Sequence, residues 1–265
     1  MTKRKQRYPQ DVPPKAEGQQ LRIKHQIKPK NVTQGYYLES LRTKPLTICK
    51  GPAGSGKTYL VTAVALEKLV SGDVDRIIIT RPVVEAGEHL GFLPGTLEEK
   101  LDPYLLPLID AMEDHVGPLM TRRLLETGKI EIAPLAFMRG RTFNNCFVIL
   151  DEAQNATVEQ IKMFLTRLGY GTSAAINGDV TQSDLVRPRE AGPGWENGLQ
   201  FAVRKLKGRD SDIDYIEFQT RDVVRSALVQ RILTLLETPE PKPQRSNGAL
   251  LGAIDGSTDT ALRVN

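Results

Sequence analysis

One stretch near the start of the chain has the residue types and spacing of a phosphate-binding loop. It consists of Gly51, Pro52, Ala53, Gly54, Ser55, Gly56, Lys57 and Thr58. The pattern is G-x-x-x-x-G-K-[ST], in which glycines let backbone N–H groups approach phosphate oxygens closely. Lys57 is expected to reach the β- and γ-phosphates of ATP, and the Thr58 hydroxyl to ligate Mg²⁺. Together with Tyr59, which follows it directly, this stretch is the expected nucleotide-binding segment.

Two adjacent carboxylates follow an apolar run further along the chain. The run 147–150 (FVIL) ends at Asp151 and Glu152. This order places Asp151 at the carboxyl end of a buried strand, where it can bind Mg²⁺ opposite Thr58. Glu152 is suited to accept a proton from an attacking water. The alternative is that the two acids only mark the start of a helix.

A third polar group follows another apolar run. Residues 175–182 read AINGDVTQ, and Gln182 is expected to sense the γ-phosphate or to position the attacking water. The alternative is a simple Gly-Asp turn. Glu152 and Gln182 favour hydrolysis of ATP over phosphoryl transfer to another molecule, because a kinase has no use for an activated water.

Buried strands that alternate with helices must position these residues. Six apolar runs suit buried parallel strands, at 45–49, 76–80, 130–135, 146–150, 173–177 and 213–218. The alternation predicts an α/β fold, a parallel sheet with helices on both faces.

Two helical patterns are an internal helix and a final helix. The first spans 157–168, with a Thr157–Gln160 capping box at its start and Gly169 after its end. The second spans about 221–237. Its inward residues are expected to be Val224, Leu228, Ile232 and Leu235.

The composition is that of an ordinary globular protein. The chain has 265 residues, of which 40% are hydrophobic and 26% charged, and this excludes collagen-like, coiled-coil and wholly disordered classes. No apolar run approaches the roughly 20 residues of a membrane-spanning helix, so no membrane partner is expected. The N-terminus lacks the apolar core of a secretory signal, which favours a cytoplasmic protein.

The cysteines and histidines show no pattern of metal ligation. Cys49 and Cys146 each lie in an apolar run typical of a buried strand, so a disulfide framework is not expected. His25, His89 and His115 have no metal-ligand spacing with the cysteines and are expected to be ordinary surface residues.

Positive charge is concentrated at the N-terminal end. The net charge is +4, yet residues 1–30 hold nine basic and two acidic residues, so the rest of the chain is close to neutral. A basic arm of this kind can bind a polyanion by counterion release. The alternative is a solvated tail whose charge only aids solubility.

The order of the motifs GPAGSGKT, DEAQ and GDVTQ resembles the core of superfamily 1 helicases. The segments 80–95, 102–104 and 133–142 resemble the PhoH family, phosphate-starvation-inducible ATPases of bacteria and their phages, and the resemblance covers about residues 33–237. It implies a single RecA-like P-loop NTPase domain that hydrolyses ATP, with a role in RNA metabolism. We therefore expect a flexible basic arm at 1–20, the PhoH-like ATPase domain at 21–237 and a flexible tail at 238–265.

A single RecA-like domain lacks the second fold that supplies an arginine to the γ-phosphate in two-domain motors. We therefore expect a homo-oligomeric ring, a hexamer, in which each subunit completes the site of its neighbour. Arg225 is the first candidate, although Ser226 and Ala227 stand after it where the family usually has His-Pro. Pairing of Arg225 with an acid of its own subunit is the alternative. Other candidate arginines are Arg221, Arg141 and Arg187.

The sequence thus favours a Mg²⁺-dependent ATP hydrolase that acts on or near RNA or another single-stranded nucleic acid. Two alternatives stay open. One is a P-loop phosphotransferase, and the other is a slow ATP-dependent switch that binds a protein partner.

Overall fold

The computed structural model describes residues 21–82, 97–185, 192, 194–224, 228–229 and 231–232, with the side chains of 97–105 left aside. The chain divides into two units, Met1–Val224 and Arg225–Asn265. The strands and helices named below all belong to the first unit. The expected arm at 1–20 and tail at 238–265 lie outside the described residues.

In the part of the chain that the structure describes, six parallel strands form one sheet in the order β3-β2-β4-β5-β1-β6. Their bounds are β1 Leu46–Lys50, β2 Arg76–Arg81, β3 Ile130–Pro134, β4 Cys146–Leu150, β5 Ser173–Gly178 and β6 Ile213–Glu217. Each lies within one residue of an apolar run that the sequence assigns to a strand. The α/β fold with a parallel sheet is confirmed.

Among the described residues of the first unit, six α-helices cover the sheet. They are α1 Val32–Thr43, α2 Lys57–Ser71, α3 Leu97–Val116, α4 Pro118–Glu126, α5 Val158–Leu165 and α6 Gly198–Leu206. Helices α1 to α4 share one hydrophobic core with the sheet, and α5 and α6 share the other. Among the described residues, no helix combines the length and the apolar character needed to cross a bilayer.

The two cores follow from the alternation of side chains along each strand. In β4, Phe147 and Ile149 face the core under α1 to α4, while Val148 and Leu150 face the core under α5 and α6. Because both faces are covered, the central strand β4 is buried and apolar throughout, whereas the edge strands β3 (IEIAP) and β6 (IDYIE) are largely half-buried and carry polar residues. Cys49 and Cys146 are both buried free thiols, as the sequence predicts.

Helix α5 begins as predicted but ends earlier. Its capping box at Thr157 and Gln160 is present, whereas the last helical residue is Leu165 rather than residue 168. The N–H of Phe143 donates to the carbonyl of Arg167 at 2.8 Å, and Phe143 and Leu168 form a parallel bridge. These contacts hold Arg167 and Leu168 against Phe143, so α5 ends before Gly169.

The final helix does not begin at residue 221. Thr220–Asp222 form one 3-10 turn, and Val223 is extended. The turn is fixed because the Asp222 carboxylate accepts hydrogen bonds from the backbone N–H of Gln219 at 2.8 Å and the hydroxyl of Thr33 at 3.1 Å. Residues 228–229 and 231–232 are helical. Val224, which was expected to face inward, is instead exposed, and Leu228 and Ile232 belong to the second unit. Leu235 lies outside the described residues.

Candidate nucleotide-binding site

The three polar motifs meet at the carboxyl edge of the sheet. The loop 51–56 follows β1, Asp151 follows β4, and Asp179 follows β5. Parallel strands bring these positions together, and the N–H of Gly51 donates to the carbonyl of Gly178 at 3.1 Å. A cavity of about 560 Å³ opens here, lined by Ala53, Gly54, Gly56, Lys57, Thr58, Tyr59, Asp151, Glu152, Asp179, Gln182 and four residues of α3.

The loop conformation depends on its glycines. Gly54 and Gly56 have φ values of 80° and 87°, in the left-handed region that favours glycine. A Cβ at Gly51 would overlap the Cβ of Phe218, the residue after β6. Gly56 is the N-cap of α2 and offers no side chain to cap it. The first N–H groups of α2 therefore remain for an anionic ligand, supported by the positive end of the helix dipole.

Lys57 folds over this loop. Its ammonium group donates to the carbonyls of Gly51 at 2.6 Å and Pro52 at 2.9 Å. Both acceptors are neutral, and phosphate oxygens form stronger charge-assisted bonds with an ammonium. The lysine is thus held beside the loop that would receive phosphate.

Thr58 and Asp151 both line the cavity and are in direct contact. The Thr58 hydroxyl lies 3.2 Å and 3.1 Å from the two carboxylate oxygens of Asp151, whose side chain is buried. Arg81, at the end of β2, also donates to Asp151 Oδ2. Hydroxyl and carboxylate oxygens are ligands that Mg²⁺ prefers, so this pair fits one side of a Mg²⁺ coordination sphere.

The rest of such a coordination sphere would come from the ligand. Within the described ranges, no cluster of three or more His, Cys, Asp or Glu side chains could hold a metal. A Mg²⁺ at Thr58 and Asp151 would therefore complete its shell with phosphate oxygens and water, as is usual for Mg²⁺ at nucleotide sites.

Gln154 links the second and third motifs. Its buried amide donates to Glu152 Oε2 at 2.7 Å and to the carbonyl of Gln182 at 3.3 Å, and its oxygen accepts from the N–H of Asp179 at 2.9 Å. Glu152 itself has φ of 54°, a strained backbone conformation for a non-glycine residue. Gln154 belongs to the DEAQ motif, but the motif alone did not predict this linking role.

Asp179 ties the third motif to the phosphate loop. Its carboxylate accepts from the N–H of Ala53 at 3.1 Å and from the hydroxyl of Thr181 at 2.7 Å. Gln182 is exposed and lines the cavity as expected. The structure thus brings together Lys57, Thr58, Asp151, Glu152 and Gln182.

Helix α1 supports the phosphate loop through a residue that sequence reasoning missed. The side-chain amide of Gln34 donates to the carbonyl of Ser55 at 3.0 Å, and its oxygen accepts from the N–H of Lys30 at 2.8 Å. The N-cap Asn31 fixes the start of α1 by accepting from the N–H of Gln34. The sequence does contain a capping pattern that could have indicated the start of α1, since Asn31 is followed three residues later by Gln34.

The turn after β6 also reaches the phosphate loop. The N–H of Val224 donates to the carbonyl of Gly54 at 3.0 Å, and the amide of Asn31 donates to the carbonyl of Asp222 at 3.1 Å. The N-terminal helix and this late turn therefore both position the loop from within the first unit.

The candidate arginines fall into three groups. Arg225 and Arg187 lie outside the described residues. Arg221 is exposed. Arg141 forms a two-pronged ion pair with Glu131 of its own chain, and the hydrogen bond from Arg141 lowers the pKa of the Glu131 carboxyl. This pairing weakens the case for Arg141 as a donor to a neighbouring site.

His115 differs from the surface residue that the sequence led us to expect. It is 2% exposed, and its ring lies 4.4 Å from the ring of Tyr59. Helix α3 packs against α2 and buries this histidine behind the cavity, which a lone histidine in the sequence does not reveal. Of the other two, His25 is exposed and His89 lies outside the described residues.

The parallel sheet, the glycine loop at the start of α2 and the carboxylates after β4 define a RecA-like P-loop NTPase fold. The family model described as PhoH-like protein matches residues 26–237. The chain belongs to the PhoH-like family.

Three relatives illustrate the match. The chain is 51% identical over 207 residues to the PhoH-like protein of Mycobacterium tuberculosis H37Rv, covering 78% of this chain and 57% of that protein. It is 49% identical over 226 residues to the PhoH-like protein of Bacillus subtilis 168, covering 85% and 67%. It is 48% identical over 206 residues to Protein PhoH of Escherichia coli K12, covering 77% and 56%. The chain thus spans little more than half the length of the mycobacterial relative.

Among solved structures, the chain is similar to the large terminase from a thermophilic bacteriophage. The TM-score is 0.48 at 12% sequence identity, with 80% of this chain and 52% of that chain covered.

Proposed function

We propose that this protein is a Mg²⁺-dependent ATP hydrolase of the PhoH-like type. The observation that carries the proposal is the meeting of Lys57 and Thr58, at the start of α2, with Asp151, Glu152 and Gln182 around one cavity. An anion-binding helix terminus, a pair of oxygen ligands and a second carboxylate are the parts that hydrolysis of a nucleoside triphosphate needs.

Each residue has a role that follows from its position. The loop N–H groups and Lys57 bind the β- and γ-phosphates, and Thr58 and Asp151 would hold Mg²⁺. Bound Mg²⁺ would neutralise charge on these phosphates. Glu152 accepts a proton from the water whose oxygen attacks the γ-phosphorus, while the bond from that phosphorus to the bridging oxygen breaks. The products are ADP and inorganic phosphate.

Glu152 is the residue that favours hydrolysis over phosphotransfer. Its carboxylate is held by Gln154 beside the cavity, where a water and a γ-phosphate can meet. A kinase would instead need to keep water away from the γ-phosphate. Phosphate release in the absence of any acceptor molecule therefore distinguishes the two activities.

Two variants test the assigned roles. Lys57→Ala should abolish tight ATP binding, because the phosphates lose their cationic partner. Glu152→Gln should retain ATP binding and lower the hydrolysis rate about 10²-fold or more, the usual scale for a positioned base. ATP affinity is measured by calorimetry and hydrolysis by phosphate release.

Exposed residues outside the cavity supply the matched controls. Lys205→Ala and Glu159→Gln make the same chemical changes at exposed positions on α6 and α5, and they should leave both measurements unchanged. An equal loss of ATP affinity in Lys57→Ala and Glu152→Gln would contradict the division of roles.

We further propose that ATP hydrolysis is coupled to RNA or other single-stranded nucleic acid. The support is the basic N-terminal sequence and the family resemblance. Deleting residues 2–20 removes Lys3, Arg4, Lys5, Arg7 and Lys15 but keeps Leu21 and Ile27, which pack against the core. RNA binding should weaken, and each lost phosphate contact should reduce the log–log salt slope by roughly 0.7. An unchanged slope would identify the arm as a solvated tail.

A further inference from the structure

Part of the cavity lining has no role in the proposed binding of phosphate or metal. It consists of Tyr59 and four residues of α3, which are Pro107, Asp110, Ala111 and Asp114. We propose that the Tyr59 ring is the platform on which the nucleobase stacks, and that His115 is the positioning residue that holds this ring. This inference rests on the proposed function, since it requires the cavity to bind a nucleoside triphosphate.

The direction of the triphosphate follows from the residues around it. Glu152 and Gln182 mark the γ-phosphate end of the cavity, and Lys57 reaches the β- and γ-phosphates. The α-phosphate, ribose and base must then extend away from Glu152. Tyr59 is the third residue of α2 and follows Thr58, whose hydroxyl points to Asp151. Because successive side chains of a helix point in directions about 100° apart, Tyr59 turns from Asp151 towards α3, where its ring packs on His115. The base therefore meets Tyr59.

The Tyr59 ring is both accessible and supported. Its side chain is 39% exposed, whereas His115 behind it is 2% exposed. The two ring centroids are 4.4 Å apart with the planes tilted by 41°, a favourable aromatic arrangement. His115 Nε2 also lies 3.2 Å from the backbone carbonyl of Tyr59. One face of the tyrosine is thus packed while part of the ring remains open to the cavity.

His115 is itself held by the segment that precedes α1. The N–H of Lys24 donates to the carbonyl of His115 at 2.8 Å, and the Lys24 ammonium donates to the carbonyl of Glu113 at 3.0 Å. A lysine at the C-terminal end of a helix is also favoured by the helix dipole. The last turn of α3, and with it the imidazole, is therefore fixed against Tyr59.

The stacking that the Tyr59 ring offers does not depend on which base is bound. A neutral aromatic ring stacks on any base through its π-face, so the platform contributes affinity without selecting a particular base. We therefore expect Tyr59 to support ATP and GTP alike.

The test compares ligands with and without a base. Calorimetry with Mg²⁺ present measures binding of ATP, GTP and inorganic tripolyphosphate to each variant. Tyr59→Ala should weaken ATP and GTP binding about tenfold, the order expected for one lost base–aromatic stack, and leave tripolyphosphate affinity unchanged. Tyr59→Phe keeps the ring and should bind all three ligands like the wild type.

His115→Ala tests the positioning role. Like Tyr59→Ala, His115→Ala should weaken ATP binding. It should raise KM for ATP while kcat is retained, because the positions of the phosphates and the attacking water are unchanged. Unchanged tripolyphosphate affinity shows that the loop is still folded. Tyr36→Ala is the matched control, because Tyr36 is 66% exposed on α1 and does not line the cavity.

Three results would overturn the proposal. The first is a Tyr59→Ala protein that binds ATP as tightly as the wild type, and the second is an equal loss for ATP and tripolyphosphate. Either would leave the proposed hydrolase function standing. The third is a wild-type protein that binds none of the three ligands, which would overturn the proposed function together with the platform.

Discussion

The guanidinium of Arg81 lies on the carboxylate of Asp151, with Nε 3.2 Å and Nη2 2.5 Å from Oδ2. Thr58 donates to the same carboxylate, and the Asp151 side chain is only 2% exposed. The aspartate that we assign to Mg²⁺ is therefore already paired with a cation of its own chain. A buried carboxylate without such a partner is strongly destabilising, so Arg81 compensates Asp151 before any metal binds.

The first prediction concerns this pair. Arg81→Gln should lower the free energy of unfolding by about 3 kcal/mol in the absence of metal, because Asp151 is left buried without its cation. Mg²⁺ should then stabilise the variant more than the wild type, since the metal replaces the missing charge. Denaturant unfolding with and without Mg²⁺ measures both effects.

Arg42→Gln is the control for that measurement. Arg42 pairs with Glu67 near the surface, where the Arg42 side chain is exposed and that of Glu67 half-buried, and such pairs contribute little to stability. The free energy of unfolding of Arg42→Gln should depend on Mg²⁺ no more than that of the wild type does. Equal stabilisation of the Arg81 variant and the wild type by Mg²⁺ would show that Asp151 does not bind the metal.

The second prediction concerns the support of the phosphate loop by α1. Gln34→Glu can still accept a hydrogen bond from Lys30 but can no longer donate to the carbonyl of Ser55. Because a buried carbonyl then loses its partner, the unfolding free energy should fall by about 1–3 kcal/mol. ATP affinity, measured by calorimetry, should fall with it. Gln160→Glu, in the capping box of α5, is a control that should leave ATP affinity intact.

The third prediction concerns Gln154. Gln154→Glu cannot donate to Glu152 and places a second carboxylate beside it. ATP affinity should be retained, while kcat falls about tenfold or more because the proposed base is no longer oriented. Gln200→Glu, in the capping box of α6, makes the same change away from the cavity. A kcat equal to that of this control would exclude an orienting role for Gln154.

The fourth prediction is a pH dependence of stability. Burial lowers the pKa of His115 from its ordinary value of 6.5. As the pH falls below 6.5, the unfolded chain takes up a proton at His115 that the folded chain does not, so folding stability decreases. Above that pH the contribution is fully present. His115→Phe removes the titrating group and should show a flatter stability profile between about pH 5 and 7 in denaturant unfolding. An identical profile in both proteins would contradict the assignment.

The fifth prediction is that a neighbouring subunit completes the site, with Arg225 as the donor in a homo-oligomeric ring, a hexamer. An arginine on the γ-phosphate contributes roughly 10³ to 10⁵ in rate, so Arg225→Ala should be nearly inactive. Mixing it with Lys57→Ala should restore ATP hydrolysis wherever an intact loop meets an intact arginine. Absence of recovery in mixed rings, verified by mass, would exclude Arg225 as a donor in trans.

Much of the fold follows from local sequence. The six runs that the sequence assigns to strands lie within one residue of the six described strands, because strands covered on both faces are rich in apolar residues. The glycine loop, Asp151 and Gln182 were found from residue type and spacing, since the carboxyl ends of parallel strands share one edge of the sheet. The capping box at Thr157 fixed the start of α5 for a similarly local reason.

Contacts between distant parts of the chain decided the rest. Gln34 reaches Ser55, Arg81 reaches Asp151, and His115 packs behind Tyr59, and each pair is separated by 21 to 70 residues. No local pattern marks such partners, because the burial of a polar side chain depends on which helices pack around it. The early end of α5 and the 3-10 turn at Thr220–Asp222 have the same origin, since tertiary hydrogen bonds outweigh helix propensity at those points. The sequence alone therefore determined the fold class and identified the residues that we assign to phosphate binding, and tertiary packing decided how the site is supported.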